Sequence, residues 1–167
     1  MKTFIIAALT ADGFIAKGHD HITTWTSKAD KNFFKEMTKK AGVIVIGSKT
    51  FETIGRALPE RRNIVLSRTK KFEGIDGVET SAESPRDLVT RLEREGVREL
   101  AICGGAGVYT SFMKEGLIDT LYITVEPILF GTGLSLFKDS FETKLELKES
   151  RLIGDGAVLL EYTVIKR

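Results

Sequence analysis

The chain has 167 residues, 42% hydrophobic and 29% charged, an ordinary globular composition large enough to bury a core. Twenty-five Lys and Arg against 23 Asp and Glu leave a net charge of +2, too small to argue for a nucleic-acid partner. A single cysteine excludes an internal disulfide, and with two histidines it gives little material for a metal site, so no metal is expected.

The opening run Met1 to Leu9 is apolar for too short a stretch to cross a bilayer. It passes into Thr10-Ala-Asp12-Gly13 with no further apolar residues for a secretory leader. The expectation is a cytoplasmic protein with no membrane partner, its first strand at about 3–9. No repeat, low-complexity tract or Pro/Ser-rich linker interrupts the chain, so one domain over 1–167 is expected.

The next element is a helix near 27–40. Asp30, Phe33, Phe34, Met37 and Ala41 fall at steps of three and four, so they share one stripe, and the stripe turns a carboxylate inward among apolar side chains. A charged carboxylate away from water needs a protein partner or a ligand. Ser27, three residues before Asp30, also reads as a capping box in which the acid favours the positive end of the helix. The two roles are compatible.

Val43-Ile-Val-Ile46 forms a short apolar strand that runs into Gly47-Ser48-Lys49-Thr50, and a short helix follows through Ile54 to Gly55. Arg61 and Arg62 precede a strand at 62–67, and a weaker strand lies near 77–80. An arginine at a strand entrance suits a ligand carboxylate, while pairing with Glu60 or Glu52 is its plain structural use. A helix over 84–95 carries its own punctuation: Ser84 as cap, Pro85 at the first position, Leu88 and Leu92 inward, Gly96 as stop.

A strand at 98–102 then enters Cys103-Gly104-Gly105-Ala106-Gly107, and the helix that follows turns Val108, Tyr109, Phe112 and Met113 inward until Gly116. Only strands remain, at 119–126, 143–149 and 157–165. Strands alternate with helices up to residue 118, so the sheet should be mostly parallel, with an antiparallel C-terminal part. The two glycine turns fall at carboxyl ends of strands, where ligands bind in such sheets and where backbone N–H groups approach an anion closely. Lys49 and Arg68 are candidate phosphate partners, although most Lys and Arg are simply solvated.

Taken in order, several segments resemble dihydrofolate reductase. They are Ile6-Ala-Ala-Leu9, Trp25 with Asp30 and Phe34, Val45-Ile-Gly-Ser-Lys-Thr50, Glu52-Thr-Ile-Gly-Arg56, Leu58-Pro59 with Arg61, Asn63-Ile-Val-Leu-Ser67, Gly104-Gly105 with Val108-Tyr109, and Leu121-Tyr-Ile-Thr124. The resemblance implies an α/β three-layer sandwich with a central mixed sheet of about eight strands flanked by helices.

It also implies NADPH-dependent reduction of dihydrofolate. Asp30 would bond the pterin N3 and 2-amino edge, with Trp25 and Thr124 completing the catalytic set. Ile6, Ala7, Phe34, Ile54 and Leu58 would line the substrate, and Arg61 would hold its glutamate carboxylate. Ala8 and Ile15 would border the nicotinamide. The cofactor would lie along Gly47, Ser48, Lys49 and Thr50, then Leu66, Ser67 and Arg68, and finally Cys103, Gly104, Gly105, Ala106, Gly107, Val108 and Tyr109. A monomer is the expected state.

Some positions depart from that pattern. Ser48 stands where an arginine is common, and Ala16 replaces a glycine. The segments Thr10 to Ala16 and Glu126-Pro127-Ile-Leu-Phe-Gly131-Thr-Gly133 look like the riboflavin-biosynthesis pyrimidine reductases. The alternative is therefore an NADPH-dependent reductase of a pyrimidine or similar heterocycle. A third possibility, a non-catalytic nucleotide-binding domain, requires Asp30 to be only a cap.

Overall fold

A computed structural model describes residues 1–166. Its elements in chain order are β1 (Lys2–Thr10), β2 (Phe14–Ala16), α1 (Lys28–Ala41), β3 (Val43–Gly47), α2 (Ser48–Ile54), β4 (Arg62–Leu66), β5 (Val78–Ser81), α3 (Pro85–Arg94), β6 (Glu99–Ile102), α4 (Ala106–Lys114), β7 (Thr120–Glu126), β8 (Leu134–Ser135), β9 (Leu145–Gly154) and β10 (Ala157–Val164).

The run Phe4-Ile-Ile-Ala7 has no polar side to turn to water, so β1 takes the middle of the sheet and feeds alternate side chains to two cores. Ile5 and Ala7 join Leu88 and Leu92 of α3 and Tyr109 and Phe112 of α4. Phe4 and Ile6 join Ile44, Tyr122 and Leu159, with Phe33, Phe34 and Met37 of α1 packed against them. Helices on both faces of one sheet give the three-layer sandwich.

The eight-stranded sheet has the order β5-β4-β3-β6-β1-β7-β10-β9. Pairing is parallel from β5 across to β7 and antiparallel for β10 and β9. Parallel neighbours need crossovers, and α1 to α4 lie in those connections.

Local chemistry fixes the helix ends as read from the sequence. Ser27 Oγ accepts from Asp30 N at 3.1 Å and Ser84 Oγ from Asp87 N at 3.1 Å. Gly42 ends α1 at φ +75°, a left-handed conformation that glycine adopts without a Cβ penalty.

Two features lay beyond the sequence pattern. Strands β2 and β8, three and two residues long, form a small second sheet, too short for any hydrophobic period to show. Strand β9 runs to Gly154 rather than 149; it is an edge strand exposed along nearly its whole length, so Glu149-Ser150-Arg151 gives no apolar signal. No helix among the described residues is long and apolar enough to cross a membrane.

Candidate active site

Asp30 sits in the first turn of α1 and is only 8% exposed. The capping bond that Ser27 makes to its backbone N–H leaves its side chain free to turn toward the sheet, so cap and inward carboxylate coexist. Burial pushes the Asp30 carboxyl above the usual carboxylate range. A hydrogen bond with the Thr124 side chain opposes that shift, the charge of Glu126 adds to it, and Thr26 and Lys31 pull it partly back. Thr124 itself is buried near the end of β7, beside β1, where it pairs with Ala8.

Trp25 ends a short 3-10 turn just before α1. Its indole Nε1 is buried and meets no acceptor among the described residues. A buried N–H without a partner is uncommon and points to a water or ligand in the cleft.

The two glycine turns lie against each other because β3 and β6 are paired neighbours. Gly47 N–H donates to Gly104 O at 2.8 Å, and Cys103 N–H to Val45 O at 2.9 Å. A Cβ on Gly105 would lie 3.0 Å from Thr50 Oγ1, and one on Gly47 would lie 3.1 Å from Val108 Cγ2. The peptide Gly104-Gly105 is cis, and a Cβ on Gly104, at φ +109°, would lie 3.2 Å from the Tyr109 hydroxyl oxygen. Tyr109 donates its hydroxyl to Ile6 O at 3.0 Å, tying α4 to β1.

These turns form a cradle of bare backbone that side chains would fill, with the start of α4 opening onto it. A dinucleotide phosphate fits such a surface. Around it, Ser48, Thr50, Ala106 and Gly107 are half-buried, and Lys49 and Arg68 are exposed with no carboxylate partner among the described residues. Beyond Leu66 and Ser67, at the end of β4, a pocket of about 440 Å³ is lined by Arg68, Lys70, Lys71 and Thr80 among others.

Ile6 and Ala7 are buried in β1, while Ala8 is half-buried beside them. Phe34 and Leu58 pack against the second core with Ile153, and Ile54, at the end of α2, is 36% exposed. Arg61 is 9% exposed. Its Nε donates to Pro59 O and an Nη to Thr38 Oγ1, both at 2.8 Å. The plain structural use does not hold: Glu60 pairs with Lys39 and Glu52 with Lys70. The guanidinium is positioned by two neutral acceptors and has no carboxylate among the described residues.

The rim joins the two segments that resemble the pyrimidine reductases. The Asp12 carboxylate accepts from Phe130 N at 3.2 Å and Gly131 N at 2.7 Å, and from Thr10 Oγ1 at 2.5 Å. Those bonds, the Thr10 hydroxyl foremost, hold Asp12 below the usual carboxylate range. Phe130 packs edge-on against Trp25 with ring centroids 5.1 Å apart. Ile15 lies in β2, paired through its neighbours with β8, and Gly133 has no room for a Cβ, which would run into Ala16 O.

Burial pushes the Cys103 thiol far up, away from the thiolate form. No cluster of three or more His, Cys, Asp or Glu among the described residues is placed to hold a metal.

Three residues escaped the sequence reading. Thr26 and Glu126 both act on Asp30, and Lys138 lays its ammonium over the first turn of α4, 3.4 Å from where a Gly107 Cβ would be. Only Glu126 carried a signal in advance: an acid closing the apolar run Leu121 to Val125.

A three-layer α/β sandwich with glycine turns at strand ends and a buried carboxylate at the start of α1 is the architecture of the dihydrofolate-reductase-like reductases. The dihydrofolate reductase family pattern matches residues 2–129, and the chain belongs to that family. It is 37% identical to a dihydrofolate reductase type 3 from Salmonella typhimurium, over 74% of this chain and 71% of that one. It is 30% identical to the uncharacterized protein YwjB of Bacillus subtilis over 96% of this chain and 97% of that one. Its fold matches a putative riboflavin biosynthesis protein from Shewanella sp. PV-4 with a TM-score of 0.83 at 23% identity, covering 99% and 100% of the two chains. The chain is thus an oxidoreductase of the dihydrofolate-reductase fold.

Proposed function

We propose that the protein reduces 7,8-dihydrofolate to 5,6,7,8-tetrahydrofolate with NADPH. The observation that carries this reading is Asp30: a buried carboxylate, paired with no cation among the described residues and preceded, just before α1, by Trp25 with its orphaned N–H. A pterin edge satisfies such a group with two parallel N–H···O bonds.

Asp30 orients the substrate through N3 and the 2-amino group, and Thr124 fixes the carboxyl. Trp25 offers its N–H to a water or to the ring, and the apolar wall of Ile6, Ala7, Phe34, Ile54 and Leu58 keeps bulk water from the aminobenzoyl arm. Arg61 takes the glutamate carboxylate. N5 takes its proton from water. NADPH, when bound, supplies the hydride that C6 receives. Gly47, Thr50 and the Gly104-Gly105 turn would hold its phosphates, and Lys49 and Arg68 would meet its charge.

A second reading is a reductase of a ribosylated pyrimidine, acting in a monomer or dimer. What favours it is the rim, clamped by Asp12 onto Phe130 and Gly131, together with the full-length likeness to the Shewanella protein.

Because Trp25 is the chain's one tryptophan, its emission reports on this cleft alone. Saturable quenching by dihydrofolate, competed by a diaminopyrimidine antifolate and lost in Asp30→Asn, is expected. Quenching by a ribosylaminopyrimidine but not by dihydrofolate would transfer the assignment to the second reading.

A further inference from the structure

Glu126 closes β7 and is only 2% exposed. Its carboxylate accepts both hydrogen bonds from one residue, Ser27, whose backbone N–H donates at 2.9 Å and whose Oγ donates at 2.8 Å. No cation pairs with it among the described residues. In register on β1 lies Thr10, whose hydroxyl is committed to Asp12. A buried carboxylate without a counter-charge is costly to desolvate, and strand ends have no need of one.

What this group touches is the first turn of α1. Ser27 Oγ gives its proton to Glu126 and its lone pair to Asp30 N, at 3.1 Å. The chain Glu126, Ser27, Asp30 therefore joins the end of β7 to the residue that faces the cleft. Thr124, two residues earlier on the same strand face, supplies a hydroxyl to the same Asp30 carboxyl.

We propose that Glu126 is a positioning residue for the active-site carboxylate: it anchors the first turn of α1 through Ser27 and sets the charge that Asp30 faces. The proposal rests on Asp30 being the substrate-binding group. The charged and titratable groups acting on Asp30 are Glu126 from β7, Lys31 on its own helix and the buried Tyr109 phenol from α4. Of these only Glu126 places a like charge beside it, so Glu126 favours the proton on Asp30 when the cleft is empty.

The test is direct titration of Asp30 in the full-length protein, by carbon NMR with labelled aspartate and Asp30→Asn to assign the resonance. In the wild type the midpoint should lie above the ordinary aspartate value of about 3.9. Glu126→Gln keeps an oxygen for both Ser27 donors and removes the charge, and the Asp30 midpoint should fall toward the ordinary aspartate value. If Gln does not fold, Glu126→Met fills the volume and removes the charge. A purely structural Glu126 would lower the melting temperature and leave the Asp30 midpoint in place, which overturns the proposal. So would a wild-type midpoint at or below 3.9, an outcome readable even if neither variant folds. The titration needs no substrate, so failure of the folate assignment shows in turnover assays and failure of this proposal in the NMR curve.

Discussion

Arg61→Ala separates a folate substrate from one without a glutamate arm. Arg61 is 9% exposed, and its Nε and one Nη are each fixed by a 2.8 Å bond to a neutral acceptor, Pro59 O and Thr38 Oγ1. The remaining donors are preorganised for an anion, so little entropy is lost when one binds. A charge-assisted bond to a carboxylate contributes about 1.5–3 kcal/mol, and 1.4 kcal/mol is a factor of ten. Truncation should therefore raise KM for dihydrofolate by about 10- to 100-fold, with kcat nearly unchanged because the arm is bound equally in ground and transition states. Initial rates of NADPH oxidation with dihydrofolate, run beside a dihydropteridine lacking the aminobenzoylglutamate arm, give both parameters. The truncated substrate should show no loss. An unchanged KM for dihydrofolate, or an equal loss with the arm-less compound, would refute the role of Arg61. Lost contacts to Thr38 and Pro59 will also lower stability, which a melting curve measures separately.

Three further expectations follow from the geometry. Asp30→Asn should cut turnover strongly while raising the melting temperature at neutral pH. Burial holds the folded-state pKa of Asp30 above its unfolded value, so its favourable share of stability is complete below the unfolded value and lost as pH rises through the folded one; the gap between variant and wild type should open with pH, and a gap constant from pH 4 to 8 would contradict this. Gly105→Ala places a Cβ 3.0 Å from Thr50 Oγ1, inside the cradle, and should weaken NADPH binding by about tenfold; titration calorimetry reads the loss, and an unchanged affinity would contradict the cradle. Arg91 bridges Glu79, Glu83 and Glu95 across β5 and α3, and Arg62 shares Glu79 and Glu95. Because Arg91 is partly exposed, Arg91→Ala should cost only about 1 kcal/mol, or about 2–4 °C in melting temperature, and less in high salt.

Much of the fold was legible because its strands are continuous apolar runs and its helices carry their own caps. Ser84-Pro85 and Gly96 bound α3 within a residue, and the run Val43 to Ile46 could only be a buried strand. Asp30 was legible because a carboxylate broke an apolar stripe. What stayed hidden is set by pairing across long separations. The β2–β8 sheet joins residues 14–16 to 134–135, and neither piece has a period of its own. Glu126 meets Ser27 at a separation of 99 residues, so its part in the site appears only when β7 comes to rest beside the start of α1. Arg61 was legible as a cation but not as an unpaired one, since that depends on Lys39 and Lys70 claiming Glu60 and Glu52.

The most direct measurement is NADPH oxidation, followed by absorbance with purified protein and dihydrofolate, with NADH run in parallel and a diaminopyrimidine antifolate as competitor. Turnover with NADPH that the antifolate inhibits competitively, and that Asp30→Asn abolishes, is the result expected of a dihydrofolate reductase working through Asp30. Tight NADPH binding with no turnover of dihydrofolate would contradict it and leave a heterocycle of the pyrimidine type as the substrate.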